Sequence, residues 1–245
     1  MNDNVMAVAL SGMQTDLAQL QKVSANMANS ATPGYKREIT GTTPFSQIIN
    51  DLSSIDVLAN VKSTIDMRQG ALQKTTRSLD LAIQGNGLFE VQTPNGLAYT
   101  RRGSFQLDSQ GRIVTDQGFP LIGDKGEIRV QSANVEIDSN GAIYHLNDNN
   151  DAARMPVAHI KLVSFEKTAD MVRDEQGLFR PTSEEKLIRE TNVQIQQGYL
   201  ENSNTSTAQE MIQLMKTMRH FESMQKVVQS HDEMLGMAIR KFGEF

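Results

Sequence analysis

The chain has 245 residues, with 24 basic and 29 acidic side chains, a formal net charge of −5 and no cysteine. The acidic balance and the absence of a long basic run argue against nucleic acid as a partner, and the lack of cysteine excludes disulfides and thiolate metal sites. No apolar run approaches the roughly 20 residues that a membrane-spanning helix needs, so no direct membrane insertion is expected.

The N-terminal segment is predicted to be a helix over residues 4–28. It lacks the basic start and the continuous apolar run of a cleaved Sec signal, so we expect export, if any, to proceed without one. Its apolar residues recur in alternating steps of four and three, the spacing that turns one seam toward a partner helix. Pro33 and Gly34 then end the helical pattern. The seam positions are Met6, Leu10, Met13, Leu17, Leu20, Ser24 and Met27, of which only Ser24 is polar.

The middle of the chain is predicted to be β-rich. Residues 35–78 show no sustained period and are interpreted as an extended connector. Over residues 79–190, short apolar runs alternate with turns such as Asn95-Gly96, a pattern typical of antiparallel hairpins. We therefore expect a central antiparallel β domain here, and we expect a fragment of about 76–185 to fold alone. Residues 191–205 are interpreted as a strand that returns to the last helix.

The C-terminal segment, residues 206–245, is predicted to be a second long helix with a seam of its own. Two such seams at opposite ends of one chain predict that the terminal helices pair as a coiled coil. The expected fold class is therefore mixed and mainly β, with long N- and C-terminal α-helices pairing as a coiled coil and a central antiparallel β domain. The second seam comprises Met211, Leu214, Met218, Phe221, Gln225, Val228, Asp232, Leu235, Ile239 and Phe242, of which Gln225 and Asp232 are polar.

No motif for chemistry stands out in this sequence. The run Gly85-Asn86-Gly87 lacks the third glycine and the following helix of a dinucleotide-binding turn, so it is interpreted as a turn. No catalytic, cofactor-binding or metal-ligating residue is therefore predicted, and no cofactor or small-molecule substrate is expected. An enzyme stays an alternative without support from a motif. The four histidines, interpreted as solvated or interface residues, are His145, His159, His220 and His231.

Four motifs, spread over the whole chain, resemble those of the bacterial flagellar rod and hook protein family. The first is residues 25–37, ANMANSATPGYKR, which resembles the end of the family's first helix and the turn after it. Residues 78–89 and 99–105 resemble its entry into the β domain, and residues 197–204 resemble the junction before its last helix. The signature residues of the first motif are Ala25, Asn26, Asn29, Thr32, Pro33, Gly34, Tyr35 and Lys36.

The resemblance implies a structural subunit of the flagellar basal-body rod, a hollow shaft that transmits torque and conducts exported subunits. In this family the terminal helices, here residues 1–34 and 206–245, form the inner layer of the shaft, and the β domain covers them. The implied partners are further copies of the chain, other proximal and distal rod proteins, and the flagellar export apparatus during secretion. The implied location is the rod in the periplasmic space.

Two readings of the sequence stay open beside this one. Within the family, the chain resembles the proximal rod type more than the distal rod type, because of the short connector and residues 174–180 and 219–222. The distal rod type is therefore the first alternative. The second alternative belongs to a different class, a coiled-coil adaptor that carries a β-sandwich ligand-binding module.

Overall fold

The computed structural model describes residues 2–40, 63–145, 155–165, 171–174, 176–181, 187–189 and 193–242. The chain divides into two compact units. The helical unit comprises Met1–Ala28, Glu38–Ser63 and Ser206–Phe245, and the β unit comprises Asn29–Arg37 and Thr64–Thr205. Most of the predicted connector, residues 41–62, lies outside the described residues.

The helical unit contains the two helices of the described chain. Helix α1 spans Asn2–Ala28 and helix α2 spans Thr207–Phe242. Strand β1, Glu38–Thr40, belongs to the same unit. Helix α2 begins with a hydrogen bond from the backbone N–H of Glu210 to the carbonyl of Ser206, 3.0 Å long. Its last turn carries Arg240 and Lys241, whose charge complements the negative end of the helix dipole.

The two helices pack against each other in antiparallel order. Asn26 contacts Glu210, Asp16 contacts His220, and a Cβ built on Gly12 would lie 3.6 Å from Cε of Met224. In each of these pairs the two residue numbers add up to 236. A constant sum is what two antiparallel helices of equal rise produce, so residue n of α1 lies opposite residue 236 minus n of α2.

The predicted coiled coil is wrong. The buried positions of α1 are Ala9, Asp16, Val23 and Asn26, each one residue before the predicted seam positions 10, 17, 24 and 27. The buried positions of α2, Glu210 and Thr217, likewise precede the predicted positions 211 and 218. One residue is about 100° of helix rotation, so seam positions 10, 17, 211 and 218 turn outward and are exposed, whereas seam positions 13, 20, 214 and 221 stay partly buried. Polar groups are the most deeply buried members of the helix contact.

Eighteen strands follow in the rest of the described chain, and β3 to β19 form six sheets, of which one has six strands. The central sheet of the β unit has six antiparallel strands in the order β15-β16-β6-β5-β14-β17. A three-stranded sheet has the order β11-β12-β13, and four two-stranded pairs are β3 with β19, β4 with β18, β7 with β8 and β9 with β10. The strands are β2 (Ser63–Ile65), β3 (Leu72–Lys74), β4 (Leu81–Gln84), β5 (Leu88–Thr93), β6 (Gly96–Thr100), β7 (Phe105–Leu107), β8 (Ile113–Thr115), β9 (Ile122–Gly123), β10 (Gly126–Glu127), β11 (Val135–Ile137), β12 (Ala142–His145), β13 (Ala158–His159), β14 (Leu162–Phe165), β15 (Met171–Arg173), β16 (Phe179–Pro181), β17 (Leu187–Arg189), β18 (Gln194–Gln197) and β19 (Tyr199–Glu201).

Two hydrophobic clusters hold the β unit together. The larger one includes Leu81, Ile83, Phe89, Phe105 and Ile195, with the Phe89 and Phe105 rings in edge-to-face contact at 5.2 Å. The smaller one includes an edge-to-face pair of Tyr99 and Phe165, with ring centroids 5.0 Å apart; these belong to the same six-stranded sheet. Such aromatic pairs add about 0.5–1.5 kcal/mol beyond their buried area.

Strands from outside the predicted β segment complete the larger cluster. Strand β18 pairs with β4, with Ile195 opposite Ile83, and strand β19 pairs with β3, with Leu200 opposite Gln73. Val193 and Ile195 belong to the larger buried cluster although they lie in the predicted return segment. The β unit therefore takes its first and last strands from positions more than a hundred residues apart.

We predict that a fragment of residues 76–185 will not fold like the intact β unit. The fragment loses β3, β18 and β19, so β4 has no ladder partner and Leu81 and Ile83 lose part of their cover. Urea unfolding followed by far-UV circular dichroism should give a lower midpoint and a broader transition for fragment 76–185 than for fragment 29–205. Equal midpoints and equal cooperativity would contradict this prediction.

Candidate functional site

A buried ionic node lies in the β unit, formed by one carboxylate and two cations. The Glu201 carboxylate, on strand β19, accepts from Lys36 Nζ at 2.6 Å and from Arg101 Nε at 2.7 Å, each through a different oxygen. The three side chains are 1% exposed or less. Lys36 lies in the first signature motif, Arg101 follows strand β6, and Glu201 lies near the junction before α2.

Backbone groups form hydrogen bonds with the N–H groups and carboxylate oxygens of the node in addition to the two ion pairs. Lys36 Nζ also donates to the carbonyl of Arg68 at 2.8 Å, and Arg101 Nη2 donates to the carbonyl of Ile83 at 2.7 Å. Arg101 Nη1 donates to the carbonyl of Gly87. The N–H of Gly70 donates to Glu201 Oε1 at 2.9 Å. Full hydrogen bonding is the condition under which buried charges are tolerated, because each unpaired charge costs several kcal/mol.

Burial lowers the pKa of the Lys36 ammonium, and the neighbouring Glu201 carboxylate opposes that shift by favouring the charged form. The effect of burial is the larger of the two. The node has two basic side chains and one carboxylate, and the surrounding carbonyl groups reduce the energetic cost of burying them.

Two glycines allow the backbone to close around the node. Gly34 has a positive φ of 71°, and a Cβ built on it would lie 2.5 Å from Cα of Arg102. A Cβ on Gly103 would lie 1.6 Å from the carbonyl oxygen of Leu81. Contacts this short cannot be relieved by rotating a side chain, because the atoms met are backbone atoms. Both positions therefore require glycine.

Asn204 joins the first signature motif to the start of the last helix. Its Oδ1 accepts from the N–H of Arg37 at 2.7 Å, and its Nδ2 donates to the carbonyls of Asp66 and Arg68 at 2.8 and 3.0 Å. The N–H of Gly34 donates to the carbonyl of Glu201 at 2.6 Å. In the sequence, Arg37 is followed by Glu38, and Thr205 by Ser206, both of the helical unit. The node thus fixes two chain exits side by side on the β unit.

An aromatic contact flanks this arrangement. The Arg173 guanidinium lies over the Tyr35 ring, 4.1 Å from its centroid, and donates to the carbonyl of Lys36. Arg173 also lies 5.4 Å from the centroid of the Phe179 ring. A cation over an aromatic face contributes about 0.5–2 kcal/mol, depending on its exposure. The contact holds the signature motif against strands β15 and β16.

The helical unit has a smaller polar centre around the buried Asn26. Its amide group pairs with the backbone of Glu38, donating to the carbonyl at 2.9 Å and accepting from the N–H at 3.0 Å. The same Nδ2 lies 3.4 Å from Oε2 of the buried Glu210 on α2. Burial lowers the pKa of the nearby Lys22, and the charge of Glu38 opposes that shift.

The structure places the predicted seam residues in two groups. Leu10, Leu17, Met211, Met218 and Ile239 are exposed, each presenting about half or more of its surface to solvent. The side chain of Leu235 lies outside the described part of α2. The partly buried group consists of Met6, Met13, Leu20, Met27, Leu214, Phe221 and Val228.

The signature residues take different places. Gly34 and Lys36 are buried at the ionic node, and Asn26 is buried in the helical unit. Thr32 Oγ1 donates to Asn29 Oδ1 at 3.2 Å inside the turn that follows α1. Pro33 and Tyr35 are partly buried, and Ala25 is exposed.

Sequence reasoning missed the ionic partners of the signature. Arg101, Glu201 and Asn204 were part of the motifs over 99–105 and 197–204, but nothing in the sequence links them to Lys36. Asp16 and Glu210, buried between the helices, each lie one residue before a seam position, and sequence reasoning assigned neither of them to the helix contact. A charged residue directly before an apolar seam residue, as Asp16 before Leu17 and Glu210 before Met211, is the signal that was available.

The histidines show no arrangement for chemistry within the described residues. His220 Nδ1 lies 2.7 Å from Asp16 Oδ2 across the helix contact. No group of three or more His, Cys, Asp or Glu side chains in the described ranges is placed to hold a metal ion. Neither described helix is long and apolar enough to cross a membrane.

We predict that Glu201→Gln strongly destabilises the protein. The substitution leaves Lys36 and Arg101 buried without an anion, and breaking a buried pair in this way costs about 3–5 kcal/mol of unfolding free energy. Urea unfolding of the full chain measures this loss. The matched control is Asp116→Asn, which removes the carboxylate of a more exposed ion pair with Arg102 at 2.8 Å and should cost about 1 kcal/mol or less. Similar losses for both variants would show that the node contributes no more than a surface pair.

The lowered pKa of Lys36 predicts a pH dependence of stability. Between the pKa of Lys36 in the folded protein and the value of about 10.4 in the unfolded chain, the unfolded state binds more protons at this site. Through this group the unfolding free energy therefore rises with pH in that window, and the contribution is lost as pH falls through the folded pKa. Unfolding free energies of the wild type minus those of Lys36→Met should increase between neutral pH and pH about 10. A difference that stays flat or falls would contradict the prediction.

Comparison with known proteins covers both ends and the middle of the chain. The family model for the flagella basal body rod protein matches residues 6–36, that for the flagellar hook protein FlgE/F/G D1 domain matches residues 82–145, and that for the flagellar basal body rod FlgEFG protein C-terminal region matches residues 196–241. The three matched ranges contain Lys36, Arg101 and Glu201, one node residue each.

Relatives match over nearly their whole length. The chain is 31% identical over 245 residues to the flagellar basal-body rod proteins FlgF of Escherichia coli and of Salmonella typhimurium, covering 96% of this chain and 97% of each relative. It is 30% identical over 250 residues to the flagellar basal-body rod protein FlgG of Buchnera aphidicola from Acyrthosiphon pisum, covering 93% of this chain and 95% of the relative. With this identity over almost the full chain, the protein belongs to the flagellar basal-body rod protein family and is a structural subunit of that kind.

Proposed function

We propose that the chain is a proximal rod subunit whose terminal helices contact neighbouring subunits through their exposed apolar faces. The observation that carries this proposal is the orientation of those faces. The contact between α1 and α2 buries polar groups such as Asp16 and Glu210, while Leu10 and Leu17 on α1 and Met211 and Met218 on α2 are exposed. Monomeric proteins rarely leave large apolar patches in water, so rows of this kind favour association.

The proximal assignment rests on the short connector and on residues 174–180 and 219–222, which resemble the proximal type. Identity does not separate the two types, because FlgF and FlgG relatives match at 31% and 30%. A distal rod subunit is therefore the second candidate. It is favoured by the match to a FlgG relative, which covers 93% of this chain. Locating the chain in isolated rods with a specific antibody fragment distinguishes the two.

The proposed partners are further copies of the chain and other proximal and distal rod proteins, with the export apparatus as a partner during secretion. Residues 1–34 and 206–245 would then lie in the inner layer of the rod, and the β unit outside it, in the periplasmic space. This role needs no cofactor and no turnover, and we propose that the chain is not an enzyme. The adaptor alternative has lost its basis, because it required the coiled coil.

We predict that Leu17→Asp and Met218→Asp block assembly without unfolding the monomer. Leu17 and Met218 are 48% and 49% exposed, so a charge there should change the unfolding free energy by about 0.5 kcal/mol or less. In an assembled contact the same charge would be desolvated, at a cost of several kcal/mol. Urea unfolding of the purified chain tests whether the monomer stays folded. Swimming and the amount of chain in purified basal bodies test whether the rod assembles.

Two controls separate the helix faces from general damage. Leu17→Met keeps an apolar side chain of similar volume and should assemble like the wild type. Asn140→Asp adds a charge in an exposed turn of the β unit and should be tolerated. Normal incorporation of Leu17→Asp and Met218→Asp, with both variants folded, would refute the proposal that these faces contact neighbours.

A further inference from the structure

A short segment near the end of the β unit, residues 193–202, joins strands that lie far apart in the sequence. Its strand β18 pairs with β4, and its strand β19 pairs with β3. The N–H of Ile195 donates to the carbonyl of Ser139, in the turn between β11 and β12, at 2.8 Å. We call residues 193–202 the clasp, because they connect β3 and β4 to this turn.

The clasp supplies side chains to the larger hydrophobic cluster. Val193 and Ile195 are 8% and 3% exposed and belong to that cluster. A Cβ built on Gly87 would lie 3.2 Å from Cγ1 of Val193, and one built on Gly141 would lie 3.2 Å from Cδ1 of Ile195. The backbone before β5 and the backbone before β12 therefore pack directly on the two side chains of the clasp.

The side chain of Gln197 ties the clasp to two more backbone segments. Its Nε2 donates to the carbonyl of Ser78, 119 residues away, at 2.9 Å, and to the carbonyl of Val135 at 2.7 Å. Its Oε1 accepts from the N–H of Ile137 at 3.1 Å. This one amide group therefore holds the segment before β4 beside strand β11.

The clasp also carries the carboxylate of the ionic node. Glu201 lies 165 residues from Lys36 and 100 residues from Arg101 in the sequence. In a chain without Glu201, burying these two basic side chains would leave them without an anion, which is much less favourable than leaving them in water. The folded positions of Lys36 and Arg101 are therefore unfavourable until the clasp is present.

The contacts of the clasp determine when the β unit can fold. Contacts between distant parts of a chain form late, because the entropy of loop closure is lost before the contact stabilises the structure. During synthesis the N-terminal residues of a chain emerge first. The hydrophobic cluster, the backbone around Gln197 and the ionic node all wait for one segment, which begins only at residue 193 of 245.

We propose that the clasp controls the folding of the β unit. The earlier residues of this unit stay without stable tertiary structure until residues 193–202 emerge, and they then fold together with the clasp in one step. An unfolded chain can pass through an export channel, so late folding suits the proposed export partner. That benefit rests on the proposed function, whereas the order of folding does not depend on it.

Refolding of the full chain from urea tests this order. Gln197→Ala removes the three hydrogen bonds of the amide group. It should slow refolding about tenfold and change the unfolding rate little, because the clasp is already bound in the transition state. Gln117→Ala is the matched control, since the Gln117 amide donates to the carbonyl of Gln176 at 3.2 Å on the surface. This control should change the refolding rate by less than about twofold.

The unfolding rate identifies the opposite case. A Gln197→Ala chain that refolds at the wild-type rate and only unfolds faster would overturn the proposal, because the clasp would then bind after the rest of the unit has folded. If Gln197→Ala does not fold at all, Ile195→Val gives the same comparison with a milder change, the loss of one buried methyl group.

Chains arrested on the ribosome test the order during synthesis. Two complexes are prepared, in which residues up to 190 or up to 205 have emerged, and both are treated with protease. Cleavage within the β unit should be about tenfold or more slower in the longer complex, because proteolysis follows the population of the open chain. A third complex, in which a Gly/Ser linker replaces residues 193–202, controls for length and should be cleaved like the shorter one.

Equal protease resistance of the shorter and the longer complex would overturn the inference, because the earlier strands would then fold without the clasp. Resistance of the linker complex would overturn it as well, since length alone would be sufficient. Both results concern the chain by itself and would leave the proposed function standing, which is tested on basal bodies instead.

Discussion

The carboxylate of Glu201 joins parts of the chain that are 165 residues apart, by accepting from Lys36 and Arg101 in a place that water does not reach. A buried charge is tolerated only when every partner stays, since the loss of one leaves another uncompensated. The node therefore holds the turn after α1, the end of β6 and the strand before α2 in one arrangement. Gly34 and Gly103 let the backbones approach closely enough for this to happen.

The helical unit buries polar groups between its two helices and leaves several large apolar side chains exposed. Within the chain, α1 and α2 meet through Ala9, Gly12, Asp16 and Asn26 on one side and through Glu210, Thr217 and Met224 on the other. Groups of this kind fix the register, because a shift would leave a buried carboxylate or amide unpaired. Apolar residues such as Leu10, Leu17, Met211 and Met218 are left on the outside, where association with other subunits can bury them. The buried polar groups fix the helix pair within a subunit, and the exposed apolar side chains remain available for contacts between subunits.

The three ranges that match the rod family meet at the ionic node. The three matched family ranges each contribute one side chain to the ionic node, so the motifs that looked like separate signatures in the sequence form one structural element. Their common role is positional, because the three side chains are buried and are paired with one another and with backbone carbonyls. The node fixes the two points from which the chain passes into the helical unit, at Arg37 and at Thr205.

Local features could be predicted from the sequence, and long-range pairings could not. The spacing of apolar residues gave both helices, Pro33 and Gly34 gave the end of the first, and Asn95-Gly96 gave the hairpin of β5 and β6, because each depends on neighbours along the chain. The heptads were present, yet the helices turned by one residue to bury Asp16 and Glu210. Which face of a helix is buried depends on the hydrogen-bond partners available to its polar residues in three dimensions. The same holds for Lys36, whose carboxylate partner lies at the other end of the chain and is found only when β19 pairs with β3.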